Sequence, residues 1–263
     1  MPNDYTLNIH GRLLSLAQPQ VMGILNTTPD SFYAGSRAQN EHDILLRARQ
    51  IEDEGAAIID VGACSTRPGS TPVDQEEEMT RLRLALGVIS REMPDAVVSV
   101  DTFRPDVARM AVEEYGAAIV NDVSEGNADM FRMVSRLRVP YILTSVQPDL
   151  RLTLLTLSAK VQHLRDMGQK DIVVDPGFGF GKTLEQNYQL LAQLDRLQVL
   201  ALPVLVGVSR KSMVTRLLGI TPDEALCPTT ALHAVSLTKG ASILRVHDVL
   251  PAVQCCRLMS ALN

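Results

Sequence analysis

Short apolar runs recur along the chain and alternate with longer segments whose apolar residues are spaced as on one face of a helix. The runs are rich in β-branched residues, and they cover residues 21–25, 57–61, 97–100, 118–120, 141–143, 172–174, 203–206 and 243–246. Continuous apolar runs of this length are typical of parallel strands that are buried on both faces. The pattern therefore predicts eight buried strands.

Helical segments are predicted in the connections between these runs. Their periodicity indicates helices over residues 41–54, 75–91, 106–115, 129–137 and 152–167, most of them followed closely by Gly or Pro. Strand-helix units of nearly even length favour an α/β fold of the closed (β/α)8 TIM-barrel type over an open, doubly wound sheet. The 263 residues suit one such barrel, so we expect a single domain over residues 1–263, with a small hairpin in residues 1–17 closing the barrel floor.

Composition narrows the class of partner. The formal net charge of −5 is spread without a basic block and the chain has no Trp, so nucleic acid is not an expected partner. The N-terminal residues contain neither a signal-peptide core nor the ~20 apolar residues of a membrane span, so we expect no membrane association and a cytoplasmic location. Cys64, Cys227, Cys255 and Cys256 lack metal-ligand spacing and are interpreted as reduced thiols.

Polar residues follow the predicted strands, at the end of the barrel where such folds build their active sites. Asp101, Asn121 and Asp175 offer carboxylate and amide groups that suit a flat heterocycle rich in N–H donors, such as a pterin. All three also have purely structural interpretations. Asp101 could instead cap the helix that begins near Pro105, Asn121 could form a turn with Asp122, and Asp175 could form a turn with Pro176, although a functional role is favoured for Asp101 and Asp175.

A second group of residues at the same strand ends suits an anion. The group supplies guanidinium, imidazole and hydroxyl donors, and it comprises Arg67, Arg245, His247, Ser65 and Thr66. Guanidinium groups bind phosphate oxygens in bidentate fashion, so pyrophosphate is a plausible ligand. Asn26 supplies a neutral oxygen ligand, which suits Mg2+ that is shared with substrate phosphates.

Seven segments in this order resemble the motif set of the dihydropteroate synthase family. They are residues 26–32, 65–69, 99–102, 121–122, 175–182, 209–212 and 245–249, and the resemblance extends from about residue 21 to residue 249. Any one of these segments alone is a weak signal, but all seven lie at predicted strand ends. The resemblance implies an enzyme that condenses 6-hydroxymethyl-7,8-dihydropterin pyrophosphate with p-aminobenzoate in folate biosynthesis.

The resemblance also implies roles for individual residues. Those that would bind the pterin are Asp101, Asn121, Asp175, Lys211, Arg245, Gly207 and Val146, with Lys211, Arg245 and Asp101 as the catalytic residues. Those that would bind pyrophosphate are Ser65, Thr66, Arg67 and His247, with Asn26 as the Mg2+ ligand. Those that would border the p-aminobenzoate subsite are Phe32, Pro68, Phe180, Lys211 and Ser212. A homodimer that forms through the late helices of the barrel is also implied.

Three positions depart from the family pattern. Ala34 and Cys64 stand where the family usually carries acidic residues, and residues 144–147 read Thr-Ser-Val-Gln where it commonly shows a Met-His-Met-Gln-like string. These departures favour one alternative, a catalytically weak or non-catalytic pterin-binding paralogue. The other alternative is a pterin-barrel enzyme that transfers a methyl group from a folate to a corrinoid, which would share Asp101, Asn121 and Asp175.

Overall fold

The protein is described here from a computed structural model, in which residues 4–27, 37–63 and 73–262 are placed. The strands are β1 (Thr6–Ile9), β2 (Arg12–Ser15), β3 (Gln20–Asn26), β4 (Ile58–Gly62), β5 (Val98–Asp101), β6 (Ile119–Asp122), β7 (Tyr141–Thr144), β8 (Ile172–Asp175), β9 (Leu205–Val206) and β10 (Ile243–Val246). The α-helices are α1 (Arg37–Asp53), α2 (Gln75–Glu92), α3 (Pro105–Tyr115), α4 (Ala128–Leu137), α5 (Leu150–Asp166), α6 (Leu184–Ala192), α7 (Ser212–Leu218), α8 (Leu226–Thr238) and α9 (Val249–Ser260). Two 3-10 helices cover Leu194–Leu200 and Asp223–Ala225.

Eight parallel strands form the barrel. Their order is β8-β7-β6-β5-β4-β3-β10-β9, and every neighbouring pair is parallel. A parallel bridge between Val174 in β8 and Val204, the residue before β9, joins the two ends of this sheet. At least one helix lies in each connection between successive barrel strands. The predicted (β/α)8 fold is therefore confirmed.

The N-terminal hairpin lies against the floor of the barrel. Strands β1 and β2 pair antiparallel, and Leu7, Ile9 and Leu16 are buried in one cluster with residues near the N-terminal ends of the barrel strands. Those barrel residues are Met22, Ile58, Ile119, Ile142, Val173, Leu205 and Ile243. The hairpin thus covers apolar side chains that would otherwise face water at the lower opening.

Alternation along each strand defines the inner and outer faces of the barrel. In β4, Ile58 belongs to the inner cluster at the floor, whereas Ile59 and Val61 pack in the larger cluster between the strands and the helices. Successive side chains in a strand point to opposite faces, so the residue two positions after each floor residue also points inward. This rule locates the side chains at the upper opening, which we call the mouth.

Local sequence signals set the helix starts that frame this mouth. Asp74 caps α2 by accepting from Glu77 N at 2.8 Å, and Thr183 and Gln186 form a capping box at the start of α6. Pro105 stands at the first position of α3.

No helix in the described part of the chain is both long enough and apolar enough to cross a membrane.

Candidate active site at the barrel mouth

Polar residues replace apolar ones one layer above the floor of the barrel. By the alternation rule, the inward-facing residues of this layer and the next are Asn26, Asp60, Gly62, Asp101, Asn121, Thr144, Asp175, Gly207 and Arg245. Seven different strands therefore contribute a carboxylate, an amide, a hydroxyl or a guanidinium group to one interior space. The sequence-predicted residues Asp101, Asn121, Asp175 and Arg245 belong to this ring.

Arg245 is the hub of a buried charge network at the mouth. Its Nε donates to Asp60 Oδ2 at 2.6 Å, and its Nη2 donates to Asp101 Oδ2 at 2.6 Å. Asn121 Nδ2 donates to the same Asp60 oxygen at 3.1 Å. The two carboxylates outweigh the effect of burial and raise the pKa of Arg245, so the guanidinium stays charged. Four strands are linked through this single network.

Two side chains at the mouth have pKa values close to neutral pH. Burial raises the pKa of Asp101 to about 7, against the opposing charge of Arg245. Burial lowers the pKa of Lys211 to about 8, against the opposing charge of Asp175. The pKa of Asp175 is itself raised by burial, although Lys211 partly offsets this effect. Shifts of this kind, caused by burial in a cleft, are typical of functional sites.

Lys211 reaches into the mouth from the residue before α7. Its Nζ donates to Phe178 O and lies 4.6 Å from the centre of the Phe180 ring, which is within cation–π distance. The same Nζ lies 3.9 Å from where a Cβ on Gly207 would be, so Gly207 lies beside both Lys211 and Arg245. The Lys that follows the seventh barrel strand is therefore inward-facing.

The segment after β8 is held in one shape by Asp175 and Lys182. Asp175 Oδ1 accepts from Gly177 N at 2.7 Å, and Lys182 Nζ donates to Gly177 O at 2.9 Å and Phe180 O at 3.1 Å. A Cβ on Gly177 would lie 1.9 Å from Ser145 O, and the φ of Gly177 is +71°. Only Gly fits at position 177. Because Asp175 accepts from Gly177 N, it forms part of this turn as well as part of the ring. For Asp101, in contrast, the helix-cap interpretation is wrong, because Arg104 occupies the N-cap of α3.

Several buried polar atoms in the barrel interior have no hydrogen-bond partner. They are Asp60 Oδ1, Ser99 Oγ, Asn121 Oδ1 and Thr144 Oγ1. Leaving such atoms unpaired costs about 1–3 kcal/mol each, and native proteins rarely accept that cost without a ligand or bound water. Because the four atoms come from adjacent strands β4 to β7, they indicate one polar ligand that enters through the mouth.

The geometry at Asn26 fits a metal ion that arrives with its substrate. Asn26 Oδ1 lies 3.6 Å and Asp101 Oδ2 lies 3.5 Å from where a Cβ on Gly62 would be, so both oxygens border the space above this glycine. The described residues contain no group of three or more His, Cys, Asp or Glu side chains placed to hold a metal. Mg2+ commonly takes one or two protein oxygens and fills its other positions with phosphate oxygens and water.

Comparison with known proteins gives the family of this barrel. The model of the pterin-binding enzyme family matches residues 22–247. Dihydropteroate synthase from Bacillus subtilis is 35% identical, covering 98% of this chain and 95% of the relative. The corresponding enzyme from Streptococcus pyogenes serotype M3 is 39% identical, covering 91% and 94%. The chain belongs to the dihydropteroate synthase family.

Solved structures of dihydropteroate synthases superpose over nearly the whole chain. The Xanthomonas albilineans enzyme, solved with 4-aminobenzoic acid, has a TM-score of 0.91 at 35% identity and covers 98% of both chains. The Yersinia pestis enzyme, solved with a sulfonamide drug, has a TM-score of 0.90 at 34% identity and covers 98% of this chain and 99% of that one. The family resemblance of the sequence motifs is thus confirmed by both comparisons.

The remaining predicted site residues fall into two groups. Phe32, Ser65, Thr66, Arg67 and Pro68, together with the departures Ala34 and Cys64, lie outside the described residues, so their roles stay predictions. His247 is half-buried beside the mouth, where Ser209 Oγ accepts from its backbone N at 3.2 Å and lies 3.2 Å from its Nδ1. Ser212 is exposed at the first position of α7.

The segment that departs from the family pattern is anchored by Glu125. The carboxylate of Glu125 accepts from Val146 N at 2.9 Å, Gln147 Nε2 at 3.0 Å and Lys160 Nζ at 3.3 Å. Val146 lies beyond the end of β7 and is half-buried, so its predicted pterin contact stays a prediction. The inward-facing residue of β7 at this level is Thr144, which the sequence motifs mark as a departure from the family pattern but not as a site residue.

Asp60 is the other functional residue that the sequence analysis missed. It lies inside the predicted apolar run 57–61, whereas predicted site residues such as Asp101, Asn121 and Asp175 directly follow the ends of their runs. A signal was available: Asp60 stands two residues after Ile58, at the inward-facing parity of a buried strand, where a carboxylate is costly unless it is paired.

Proposed function

We propose that this protein is a transferase that condenses 6-hydroxymethyl-7,8-dihydropterin pyrophosphate with p-aminobenzoate to give 7,8-dihydropteroate and pyrophosphate. The observation that carries the proposal is the ring of acceptors, Asp101, Asn121 and Asp175, at the mouth of a pterin-family barrel. Relatives named dihydropteroate synthase match nearly the whole chain, and one solved relative holds 4-aminobenzoic acid.

The pterin would lie flat in the barrel with its N–H edge toward these acceptors. Asp101 and Asp175 supply carboxylate oxygens, and Asn121 Oδ1 is a buried acceptor without a partner. The guanidinium of Arg245, which is held by two carboxylates, offers its face for stacking on the heterocycle and its remaining N–H groups for phosphate. Lys211 lies between this pocket and the Phe180 ring, which would border the arylamine.

The chemistry requires little from the protein beyond positioning and charge. The C–O bond between the pterin methylene and pyrophosphate breaks and its electron pair leaves with pyrophosphate. The family resemblance implies that this step follows an SN1-like path. The arylamine nitrogen then forms the new C–N bond and releases a proton. Arg67, His247, Ser65 and Thr66 are the proposed donors to the departing anion, and fixed donors of this kind supply most of the catalysis in such sites.

We also propose Mg2+ as the cofactor, with Asn26 as its protein ligand. When bound, the ion supplies a positive charge that stabilises the departing pyrophosphate. Asn26 is suited to this role because it offers a neutral oxygen beside Asp101. The described residues contain no group of three or more His, Cys, Asp or Glu side chains that would bind the ion in its place.

The proposal is tested by following pyrophosphate release from hydroxymethyldihydropterin pyrophosphate, p-aminobenzoate and Mg2+. We expect release that depends on the arylamine, and a loss of at least about 100-fold in kcat/KM in Asp175→Asn, because the substitution removes the negative charge that would accept from the substrate N–H groups. Asp129→Asn, at an exposed carboxylate on α4, is the matched control and should retain full activity. No release by the wild-type protein, at any arylamine concentration, would refute the proposal.

The same assay separates the alternatives. A non-catalytic paralogue would bind the pterin without releasing pyrophosphate, and a methyltransferase would require a methylated folate and a corrinoid acceptor. Neither alternative is favoured by the relatives, which are named dihydropteroate synthases over at least 88% of this chain.

We further propose a cytoplasmic homodimer. The helices of the last barrel units carry a set of exposed large apolar side chains, namely Leu217, Leu218, Leu226, Val235, Leu250 and Leu258. Exposed apolar surface that is concentrated on neighbouring helices is typical of an interface between subunits.

A further inference from the structure

We propose that Asp60 is a positioning residue that holds the Asn121 amide as an acceptor facing the pterin and holds the Arg245 guanidinium in place. The inference rests on the proposed function, since it assumes that a pterin occupies the mouth. The positioning role belongs to Oδ2, the oxygen on which its described contacts converge, and it is separate from the unpaired Oδ1.

Within the described part of the chain, Asp60 forms hydrogen bonds with two residues of the ring. The side chain is fully buried on the inner face of β4. Its Oδ2 accepts from Arg245 Nε at 2.6 Å and from Asn121 Nδ2 at 3.1 Å. A fully buried carboxylate is tolerated when it is paired with a charge and hydrogen-bonded, and Asp60 meets both conditions through this one oxygen.

The chemistry of the two groups fixes the orientation of the Asn121 amide. An ionised carboxylate only accepts hydrogen bonds, and an amide NH2 only donates them, so the nitrogen of Asn121 must face Asp60. The opposite rotamer would set an amide oxygen against a carboxylate oxygen in a dry interior. Asn121 Oδ1 is therefore turned away from Asp60, where it is buried and has no partner among the described residues.

This orientation decides what kind of ligand edge the pocket recognises. With Asn121 Oδ1 fixed as an acceptor, it joins Asp101 and Asp175, which are also acceptors, so the ring selects a heterocycle that presents N–H donors to all three. If the amide were free to rotate, Asn121 would accept ligands with either polarity and discrimination would fall. Asp60 thus contributes to specificity through Asn121.

Asp60 also holds Arg245, together with Asp101. The two carboxylates come from neighbouring strands β4 and β5 and engage different nitrogens of the guanidinium, Nε and Nη2. Two anchors on one planar group restrict its rotation, whereas a single anchor leaves it free to pivot. Removal of Asp60 should therefore disturb the stacking face as well as the amide.

The test is a polarity swap between positions 60 and 121, read by calorimetric binding of 6-hydroxymethylpterin without Mg2+. Asp60→Asn and Asn121→Asp should each weaken pterin binding by about 10- to 100-fold, because the first frees the amide and the second places two carboxylates together. The double variant restores one donor facing one carboxylate, so its affinity should return to within about 10-fold of wild type.

Three further measurements distinguish a positioning role of Asp60 from an overall disturbance of the site or the fold. The KM for p-aminobenzoate should change by less than about threefold in Asp60→Asn, because no hydrogen bond joins Asp60, Asn121 or Arg245 to Phe180, Lys211 or Ser212, the described residues of the proposed arylamine subsite. Asp122→Asn alters another fully buried carboxylate, bonded to Ser124 and Tyr141, and should leave pterin affinity unchanged within about threefold. If Asp60→Asn does not fold, a crystal structure of the wild-type complex decides the matter by the partner of Asn121 Nδ2.

The outcomes are distinct for the two proposals. Wild-type protein that neither binds the pterin nor releases pyrophosphate would contradict the proposed function. Wild-type protein that binds it, together with unchanged affinity in Asp60→Asn or additive losses in the double variant, would overturn the role of Asp60 alone. A complex in which Asn121 Nδ2 contacts the pterin would overturn it as well.

Discussion

Asp101 and Lys211 carry opposite charges that both depend on pH near neutrality. Asp101 accepts hydrogen bonds with both oxygens only when it has lost its proton, and burial raises its pKa to about 7. Lys211 carries a positive charge only while it keeps its proton, and burial lowers its pKa to about 8. The ionised pair of residues therefore coexists in a narrow pH window between these two values.

This window predicts a bell-shaped pH dependence of kcat/KM for the pterin substrate. Because the pKa of Asp101 is raised, activity should fall as pH drops below about 7; because the pKa of Lys211 is lowered, it should fall as pH rises above about 8. The profile of kcat/KM reports groups in the free enzyme, which is the state described here. Lys211→Arg should move the alkaline limb to higher pH. A flat profile between pH 5.5 and 9.5, in steps of about 0.5, would contradict the assignment.

Individual site residues were recoverable from the sequence to different degrees, for physical reasons. Asp101, Asn121, Asp175 and Arg245 stand at or next to the end of an apolar run, where a polar residue is conspicuous. Asp60 and Thr144 were missed because their importance depends on which face of the strand they occupy and on partners from distant strands. A sequence pattern shows which face of a strand a residue occupies, but it does not show which residue of a distant strand it contacts.

At the scale of elements, the strands were predictable because parallel strands buried on both faces appear as continuous apolar runs. The predicted run 118–120 became β6 at Ile119–Asp122, and 243–246 became β10 with the same bounds. The run 203–206 yielded only the short β9, Leu205–Val206, with Val204 in an isolated bridge. No helix bounds were predicted after residue 167, where α6 and α7 are short and two 3-10 helices, whose period differs from that of an α-helix, lie in the connections.

Gly23 shows how closely a strand and its helices pack. A Cβ at this position in β3 would lie 2.5 Å from Ile51 Cγ2 on α1 and 2.9 Å from Val249 Cγ2 on α9. We expect Gly23→Ala to lower the free energy of unfolding by about 1–3 kcal/mol, through overpacking of a full core. Urea denaturation monitored by circular dichroism measures this change.

Gly87 provides the matched control for that prediction. It lies within α2, and a Cβ there would meet only Tyr115 Cε1 at an ordinary 3.6 Å. Gly87→Ala should therefore leave the free energy of unfolding unchanged or raise it by about 0.5–1 kcal/mol, because Ala is the better helix former. If both variants lowered the free energy of unfolding equally, the loss in Gly23→Ala could not be assigned to close packing around β3.

At the scale of the whole molecule, the exposed apolar side chains of α7, α8 and α9 predict a dimer that a single charge should disrupt. Leu258 on α9 is 71% exposed, and Leu155 on α5, on a different part of the barrel, is 64% exposed. Leu258→Glu should shift the protein from dimer to monomer in light scattering, since a charge placed in an apolar interface loses its hydration. Leu155→Glu should leave the dimer intact. A monomeric wild-type protein would remove the proposed interface.

The whole fold explains why residues far apart in the sequence make one site. The closed barrel brings the ends of its eight strands to a single opening, and the hairpin of β1 and β2 covers the other end. The chemistry can therefore be built only at the mouth, where Asp101, Asn121, Asp175 and Arg245 meet although 144 positions separate Asp101 from Arg245.

The most direct test of this account is a crystal structure of the protein with 6-hydroxymethylpterin bound. We expect the heterocycle inside the mouth, with its N–H edge within hydrogen-bonding distance of Asp101, Asn121 Oδ1 and Asp175, and with Arg245 stacked on its face. A pterin that binds elsewhere on the protein, or one that enters the barrel without contacting these acceptors, would contradict the account.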